Sequence, residues 1–292
     1  MMMMMMMMAS ALTSTGAGTS VLIQDVSFAY ATTVPDGFPV LSGITARLRP
    51  AAVTAVLGPN AAGKTTLLLL MAGLLKPQSG RLSLVDGSGP SDGQAVHDLD
   101  LSERARVLAY VAQRPRVDAP FSVRQVVELG RFATGPSEDA VKAALRAVEI
   151  EDLQDRLFHE LSVGQQQRVS LARAVAQLDG GDSGPVFLLD EPMSAMDPKH
   201  ALHTAGLLKS LAVENGATVV VVLHDLVTAS RVADDVLLLN QNGTLAGHGG
   251  VSDMLTCERL ESVYEVPFVR VSCPGEAGQT IPVPVARRGT ST

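Results

Sequence analysis

A glycine-rich loop between an apolar run and a helical run constrains this chain more than any other feature. Gly58–Thr65 reads GPNAAGKT and matches the pattern G-x-x-x-x-G-K-[ST]. The run before it, Ala51–Leu57, is short and nearly continuously apolar, which favours a parallel strand covered on both faces. The run after it, Lys64–Leu75, has helical spacing and ends at Lys76-Pro77. This order of strand, loop and helix predicts an α/β fold that binds phosphate.

The chemistry of such a loop follows from its backbone. The N–H groups of the loop and of the first helical turn form a nest for phosphates. Lys64 adds a positive charge for the β- and γ-phosphates, and the Thr65 hydroxyl can ligate Mg²⁺. The alternative is a glycine-rich turn with a surface lysine, which the order of elements disfavours. The predicted nucleotide-contacting residues of this segment are Gly58, Pro59, Asn60, Ala61, Ala62, Gly63, Lys64, Thr65 and Thr66.

Two carboxylates follow a second apolar run. Val186–Leu189 (VFLL) predicts a buried strand, and Asp190 and Glu191 come directly after it. In an α/β sheet, side chains at the carboxyl end of such a strand lie beside the phosphate loop. Asp190 would then hold Mg²⁺, and Glu191 would polarise a water for in-line attack on the γ-phosphate. An Asp-Glu pair alone is more often a turn feature, so this interpretation depends on the upstream loop.

A third segment, Leu161–Arg168, reads LSVGQQQR. Ser162 precedes the helical run Gln165–Gln177 and is expected to cap it. A helix N-terminus with a serine hydroxyl and a glycine backbone is a second anion site. One ATP does not need two such sites from one chain, whereas a dimer that shares ATP across its interface does. An ordinary capped helix remains the alternative.

These three segments together resemble the nucleotide-binding subunit of an ATP-binding cassette (ABC) transporter. Gly58–Thr65 resembles the Walker A motif, Val186–Glu191 the Walker B motif, and Leu161–Gln165 the signature motif, which usually reads LSGGQ. The resemblance implies a P-loop NTPase core that binds ATP and Mg²⁺. It also implies that one subunit's signature residues contact the ATP of the other, and these residues are Ser162, Val163, Gly164 and Gln165.

Four further residues occur in the order of that family, and the resemblance extends over about Val21–Ala246. Tyr30 resembles the aromatic that stacks on adenine, and Gln113 the Q-loop glutamine. Asp197 resembles the D-loop aspartate, and His224 the switch histidine that would bond the γ-phosphate. Each has an ordinary structural explanation by itself, but the ordered set is specific. The residues then predicted to be catalytic are Glu191, His224 and Gln113, and those predicted to hold Mg²⁺ are Thr65, Gln113 and Asp190.

Two residues depart from the motifs of the family. Ala61 stands where the usual GPNGAGK has its second glycine, and a methyl group there is harmless only if φ is negative. Val163 replaces the third residue of LSGGQ, and its branched side chain can alter affinity at a dimer interface.

Composition excludes several other classes of protein. The 292 residues carry a net charge of −7 and no Trp, which argues against a nucleic-acid partner. Two cysteines exclude a disulfide scaffold. The longest apolar run, Leu67–Leu75, is about half of what a membrane-spanning helix needs. We therefore expect a chain that does not cross the bilayer by itself, and the resemblance implies a peripheral protein at the cytoplasmic face of the cell membrane.

The expected organisation is a disordered tail over 1–20, an ABC ATPase domain over 21–250 and a short extension over 251–292. Within the domain we expect a mostly parallel sheet, an N-terminal antiparallel β subdomain, and a helical subdomain inserted at about 92–178. The poly-Met start and the polar insertion Gly180–Gly184 have no assigned role. The other predicted elements are the strands Val21–Tyr30, Val40–Leu48 and Thr218–Leu223, the helices Ser102–Val107, Ser122–Phe132 and Ser137–Val148, and the hairpin Asp235–Leu239 with Thr244–Ala246.

The resemblance also implies partners. Two copies would share two ATP molecules and act on separate permease subunits, with an extracytoplasmic substrate-binding protein as an indirect partner. Phe121–Arg131, Leu161–Arg173 and Leu255–Val266 resemble segments of the cassettes that serve ferric-siderophore, haem and vitamin B12 importers. We expect an importer ATPase for an iron complex (siderophore or haem) or cobalamin. The alternatives are the ATPase subunit of an exporter and a soluble cassette ATPase not linked to transport.

Overall fold

The computed structural model describes residues 18–30, 39–86, 93–180, 184–272 and 280–286. Most of the expected tail over 1–20, the turn after Tyr30, the loop around 87–92 and the centre of the Gly180–Gly184 insertion lie outside the described residues. The twelve described strands are β1 (Ser20–Phe28), β2 (Leu41–Leu48), β3 (Val53–Leu57), β4 (Ser79–Val85), β5 (Gln94–Ala95), β6 (Leu108–Val111), β7 (Val186–Asp190), β8 (Thr218–Val222), β9 (Asp235–Leu239), β10 (Leu245–Gly250), β11 (Phe268–Ser272) and β12 (Thr280–Pro284).

Helices connect most of these strands. They are α1 (Lys64–Met71), α2 (Leu101–Val107), α3 (Val123–Glu128), α4 (Glu138–Ala147), α5 (Val163–Leu178), α6 (Pro198–Asn215), α7 (Leu226–Val232), α8 (Val251–Met254) and α9 (Cys257–Tyr264). Single 3₁₀ turns occur at Val96–Asp98, Leu129–Phe132, Glu151–Leu153 and Phe158–Glu160. Across the part of the chain that the structure describes, none of the helices has both the length and the apolar character needed to span a bilayer.

The main sheet has six strands in the order β10-β9-β3-β8-β7-β6. Five of them run parallel, and β10 pairs antiparallel with β9. Every residue of β3, β7, β8 and β9 is buried, because layers cover both faces of the sheet. Only β8 separates β3 from β7, so the segments that follow these two strands emerge close together at the carboxyl edge of the sheet.

The second sheet is antiparallel, with the order β2-β1-β4-β5. Its apolar residues and those of α1 pack against one face of the main sheet. The helices α3–α7 pack against the opposite face, in a separate apolar cluster. The α/β class, the mostly parallel main sheet and the antiparallel N-terminal sheet are therefore confirmed.

Five of the described strands were not predicted from the sequence: β4, β5, β6, β11 and β12. β4 lies in the centre of the antiparallel sheet, and β6 forms an edge of the main sheet beside β7. β6 has four residues, and β4 has three exposed residues followed by four buried ones, so neither shows a clear alternation. β5 and β6 both fall within the 92–178 range expected for the helical subdomain, yet they pair with the two sheets.

Helix α1 ends at Met71, four residues before the predicted end. Gly73 adopts a left-handed φ of 66°, and its N–H donates to Leu70 O. The N–H of Leu74 donates to Leu69 O, which completes a Schellman motif. The lysine-proline signal predicted a stop, but the glycine before it ends the helix.

Arg131 holds the end of α5 against the segment after α3. Its side chain is 8% exposed. Its Nη1 donates to Ala176 O at 2.8 Å and to Asp179 O at 2.6 Å, and its Nε donates to Gly135 O at 3.0 Å. The guanidinium therefore satisfies three carbonyl groups, two of which belong to the end of a helix.

We expect Arg131→Met to lower the free energy of unfolding by roughly 2–3 kcal/mol, because the substitution leaves three carbonyl groups without their donor. Urea unfolding measures this loss. The matched control is Arg106→Met, which removes an exposed arginine whose one hydrogen bond to the described residues is to Ala133 O, at 3.1 Å, and should cost less than about 0.5 kcal/mol. Equal losses in the two variants would contradict the assignment.

Candidate nucleotide site

The phosphate loop joins the carboxyl end of β3 to the N-terminus of α1. Lys64 is 6% exposed, and its Nζ donates to Gly58 O at 2.8 Å and to Pro59 O at 2.7 Å. Burial lowers the pKa of Lys64, and the nearby charges of Glu191 and Asp190 oppose this shift. Helix α1 has no side-chain cap at Gly63. The N–H groups of its first turn are therefore oriented to receive phosphate oxygens.

The loop contains two residues whose conformation matters for its shape. Gly63 has a φ of 90°, and a Cβ there would lie 2.8 Å from Val40 O, so only glycine fits. Ala61 has a φ of 64°. The condition for a harmless methyl group at Ala61, a negative φ, is therefore not met, and the loop carries local strain.

Asp190, the last residue of β7, offers an oxygen to a cation. The residue is 1% exposed, and its Oδ2 accepts a hydrogen bond from Thr65 Oγ1 at 2.9 Å. Its Oδ1 is buried and lacks a hydrogen-bond partner among the described residues. Burial raises the pKa of Asp190, an effect that the bond from Thr65 and the charges of His224 and Lys64 partly oppose. A carboxylate oxygen without a partner beside a threonine hydroxyl fits the hard oxygen ligands that Mg²⁺ takes.

Glu191 and His224 follow the neighbouring strands β7 and β8. Their side chains contact each other through Glu191 Oε1 and His224 Nε2. The backbone of Glu191 has a left-handed φ of 48°, and its N–H donates to Val222 O at 3.2 Å. A strained φ at a polar residue is typical of functional sites. This conformation places the carboxylate beside the imidazole at the carboxyl edge of the sheet.

Tyr30 lies beside the start of α1. Its hydroxyl is 3.3 Å from Thr66 Oγ1, and its ring packs edge-on against Phe28 with the centroids 4.9 Å apart. The side chain is 46% exposed, so one face of the ring is accessible. An aromatic ring in this place can stack on a base whose phosphates occupy the loop.

The signature segment forms the N-terminus of α5. Ser162 Oγ accepts a hydrogen bond from Gln165 N at 3.3 Å, and Gln165 Oε1 accepts one from Ser162 N at 2.9 Å, which forms a capping box. Val163 is 55% exposed. A Cβ on Gly164 would lie 2.5 Å from Ala195 O, so this glycine allows close packing against residues 194–197, here called the D-loop. Within one chain these residues lie at the surface, next to the D-loop.

Asp197 acts as a helix cap in the single chain. Its Oδ1 accepts a hydrogen bond from His200 N at 3.1 Å, and its Oδ2 is 2.6 Å from His200 Nδ1. The hydrogen bond from the backbone N–H of His200 has the largest effect in lowering the pKa of Asp197, followed by the bond with the His200 side chain. The side chain also remains 58% exposed, so capping does not hide it from a second molecule.

Gln167 is a residue of the site that the sequence analysis did not single out. It is 2% exposed, and its Nε2 donates to Gln113 O at 3.3 Å, Ser194 Oγ at 3.1 Å and Glu191 O at 3.4 Å. Its Oε1 accepts a hydrogen bond from Ala195 N at 3.3 Å. One buried amide thus joins α5 to the loops that contain Gln113, Glu191 and the D-loop. The sequence does contain a signal for this residue. Gln167 lies one helical turn before Leu171, so it is a polar side chain on the apolar face of the predicted helix.

The structure brings the predicted residues together in two groups. At the edge of the main sheet lie the phosphate loop, Tyr30, Asp190, Glu191 and His224. On the adjoining surface lie the signature segment and Asp197. Gln113 follows β6 with an exposed side chain, and its backbone connects to both groups through Gln167.

Comparisons with known proteins identify relatives over most of the chain. A family model described as ABC transporter matches residues 41–194. The Hemin import ATP-binding protein HmuV of Pseudomonas entomophila is 45% identical over 231 residues, which cover 78% of this chain and 87% of that protein. The protein of the same name from Rhizobium meliloti is 35% identical over 239 residues, with 78% and 86% covered.

Solved structures with the same fold include a chain from a metal-chelate type ABC transporter in an inward-facing conformation. Its TM-score is 0.75 at 25% identity, with 92% of this chain and 99% of that chain covered. A dimeric ATP-binding cassette in a post-hydrolysis state with ADP and Pi has a TM-score of 0.69 at 26% identity, with 79% and 98% covered.

The strain at Ala61 predicts the direction in which substitution changes stability. Ala61→Gly should raise the free energy of unfolding by about 0.5–1 kcal/mol, because glycine adopts a left-handed φ without a Cβ penalty. In the control, Ala62→Gly, stability should fall by about 1 kcal/mol, since Ala62 is fully buried and its φ is not positive. Urea unfolding of the nucleotide-free protein measures both, and a shift of the same sign in both variants would refute the argument.

Proposed function

The chain belongs to the ABC transporter family and binds and hydrolyses ATP, and we propose that it is the ATPase subunit of an importer for an iron complex, with haem as the favoured cargo. The observation that supports this cargo is the 45% identity, over 78% of the chain, to a protein named for hemin import. A siderophore and cobalamin remain the other candidates. The similarity to import proteins favours this proposal over an exporter subunit or a cassette unconnected with transport.

The phosphate loop holds the nucleotide in this proposal. The N–H groups at the start of α1 and the Lys64 ammonium bind the β- and γ-phosphates, and Tyr30 stacks on the adenine. Lys64 exchanges its bonds to Gly58 O and Pro59 O for phosphate oxygens, which carry a full negative charge. The burial of Lys64 strengthens this attraction, because little water screens it.

Thr65, Asp190 and Gln113 would hold Mg²⁺, together with oxygens of the nucleotide. When bound, Mg²⁺ supplies charge neutralisation at the β- and γ-phosphates. The Oδ1 atom of Asp190, which lacks a partner, supports this set of ligands most directly. Gln113 is exposed and follows β6, so its side chain can approach the site from the helical side.

Glu191 and His224 carry the hydrolytic step in this proposal. Glu191 accepts a proton from the attacking water, and His224 donates a hydrogen bond to the γ-phosphate. Their mutual contact without nucleotide keeps both side chains at the edge of the sheet. Binding of the γ-phosphate replaces the imidazole contact and frees the Glu191 carboxylate for water.

A second copy of the chain completes each site. Ser162, Val163, Gly164 and Gln165 present an exposed helix N-terminus that fits the phosphates held by the other copy. Asp197 lies beside this segment and would reach across the same interface. The dimeric cassette structures among the structural relatives support this arrangement.

The remaining parts of the proposal concern organisation and partners. The ATPase domain spans 21–250, its helical subdomain begins after β6 and ends near 178, and 251–292 is an extension. The helical subdomain would contact permease subunits, which work with an extracytoplasmic substrate-binding protein. The chain would then be a peripheral subunit at the cytoplasmic face of the cell membrane.

The role of Glu191 can be tested directly. Glu191→Gln should lower steady-state ATP hydrolysis by roughly 10²–10⁴-fold, because an amide cannot accept the proton from water. Binding of ATP should persist, since the phosphate loop is unchanged, and sedimentation with ATP and Mg²⁺ should detect a stable dimer. If the variant keeps the turnover of the parent, Glu191 has no such role.

The cargo requires transport measurements. Vesicles that contain the chain and its co-purifying permease should accumulate labelled haem when the ATPase faces the vesicle interior and ATP is enclosed there. The same vesicles with Glu191→Gln serve as the control and should not accumulate it. Uptake of a ferric siderophore or cobalamin without uptake of haem would exclude haem as the cargo and leave the ATPase assignment intact.

A further inference from the structure

The C-terminal extension reaches back to the first residue of the phosphate loop. Helix α9 ends at Tyr264, whose hydroxyl accepts a hydrogen bond from Gly58 N at 3.1 Å. The two residues are 206 positions apart in the sequence. Tyr264 lies outside both the 41–194 segment that the family model matches and the nucleotide residues predicted from the motifs.

The extension holds the Tyr264 ring in place. The ring packs against Phe268, with centroids 6.0 Å apart, and Phe268 N donates to Glu261 Oε1 at 2.8 Å. Leu260 and Val263 lie on α9, as Tyr264 does, and are buried in the apolar cluster that α3–α7 form on one face of the main sheet. Thr256 caps the start of the helix by accepting a hydrogen bond from Arg259 N. A hydroxyl on such a ring has little freedom to move away from the loop.

Gly58 is restrained from several sides. Its N–H donates to Tyr264, and its carbonyl accepts a hydrogen bond from Lys64 Nζ at 2.8 Å. Its φ is 149°, and a Cβ there would lie 2.6 Å from Leu239 O. Glycine has wide conformational freedom by itself, so the two hydrogen bonds and the close strand decide its conformation.

These contacts form a continuous path from the extension to the phosphate-binding lysine. The Tyr264 hydroxyl fixes the N–H of Gly58, and the carbonyl of the same residue holds the Lys64 ammonium. Burial raises the pKa of Tyr264, so the phenol stays neutral at physiological pH. A neutral phenol can accept from Gly58 without placing a negative charge behind the loop.

We propose that Tyr264 is a positioning residue of the nucleotide site, whose hydroxyl holds Gly58 and thereby sets the phosphate loop for binding. The proposal rests on ATP binding by this loop. It makes the extension part of the site. The N–H of Gly58 donates to the tyrosine hydroxyl and therefore does not point toward the phosphates. The N–H groups at the start of α1 bind the phosphates instead.

The test compares two substitutions in the 292-residue chain. Tyr264→Phe removes only the hydroxyl and keeps the ring. Phe268→Leu removes the aromatic partner of that ring and keeps the hydroxyl. The measurements are the affinity for ADP, which avoids hydrolysis, the kcat at saturating ATP, and the Tm of the nucleotide-free protein.

Tyr264→Phe should weaken ADP binding by about three- to tenfold, the ratio expected for one net hydrogen bond. Its kcat should change by less than about twofold, because Tyr264 contacts neither Glu191 nor His224 in this arrangement. Phe268→Leu should lower the Tm and weaken ADP binding less than Tyr264→Phe does, because the hydroxyl that bonds Gly58 is kept. A purely structural tyrosine would lower the Tm without changing ADP affinity, and that result would overturn the proposal, as would equal losses of affinity in both variants.

Hydrogen exchange on the unmodified protein gives an independent measurement. Coupling between two sites is reciprocal, so ADP should slow amide exchange in residues 257–264 as well as in residues 53–62. Protection of 53–62 alone would overturn the role of Tyr264 and leave the nucleotide site intact. If the parent protein binds no ADP, the proposed function and this inference both fail.

Discussion

A buried lysine ammonium within a loop of backbone carbonyls is the interaction on which the rest of the structure depends. Lys64 lies within hydrogen-bond distance of Gly58 O and Pro59 O, and the charges of Glu191 and Asp190 oppose the lowering of its pKa by burial. The parallel sheet produces this arrangement, because β3 leads into the loop and β7 carries Asp190 and Glu191 at a distance of one intervening strand. The apolar layers on both faces keep water from the strands, and the phosphate loop, Asp190 and Glu191 lie at the carboxyl edge of the sheet.

Several residues of the site are held in conformations that the local chain would not choose by itself. Ala61 and Glu191 both have left-handed φ values, which cost free energy for residues with a Cβ. Asp190 is buried with an oxygen that lacks a partner among the described residues. The surrounding packing maintains these features, so the stability of the sheet around the site offsets their cost.

Supports outside the motifs connect the site to the rest of the molecule. Gln167 joins α5 to the segments that contain Gln113, Glu191 and the D-loop through one buried amide. Tyr264 joins the C-terminal extension to Gly58. The N-terminus of α5 is the surface proposed to meet a second copy. A change in its position would reach the Glu191 backbone through Gln167. The phosphate loop, in turn, is restrained by a part of the chain far from it in sequence.

The sequence by itself determined the family, the α/β class and the order of the motifs, because glycine spacing, apolar runs and capping residues act over a few neighbouring positions. It also predicted β3, β7 and β8, whose continuous apolar runs reflect burial on both faces. It did not reveal β4 and β6, since neither alternates clearly between apolar and polar residues and both are stabilised mainly by the strands with which they pair. The roles of the site residues remain predictions, although the structure shows where each residue lies. Only the tertiary structure decided the φ of Ala61, the contacts of Gln167 and the bond from Gly58 to Tyr264, because each depends on groups that folding brings together from distant parts of the chain.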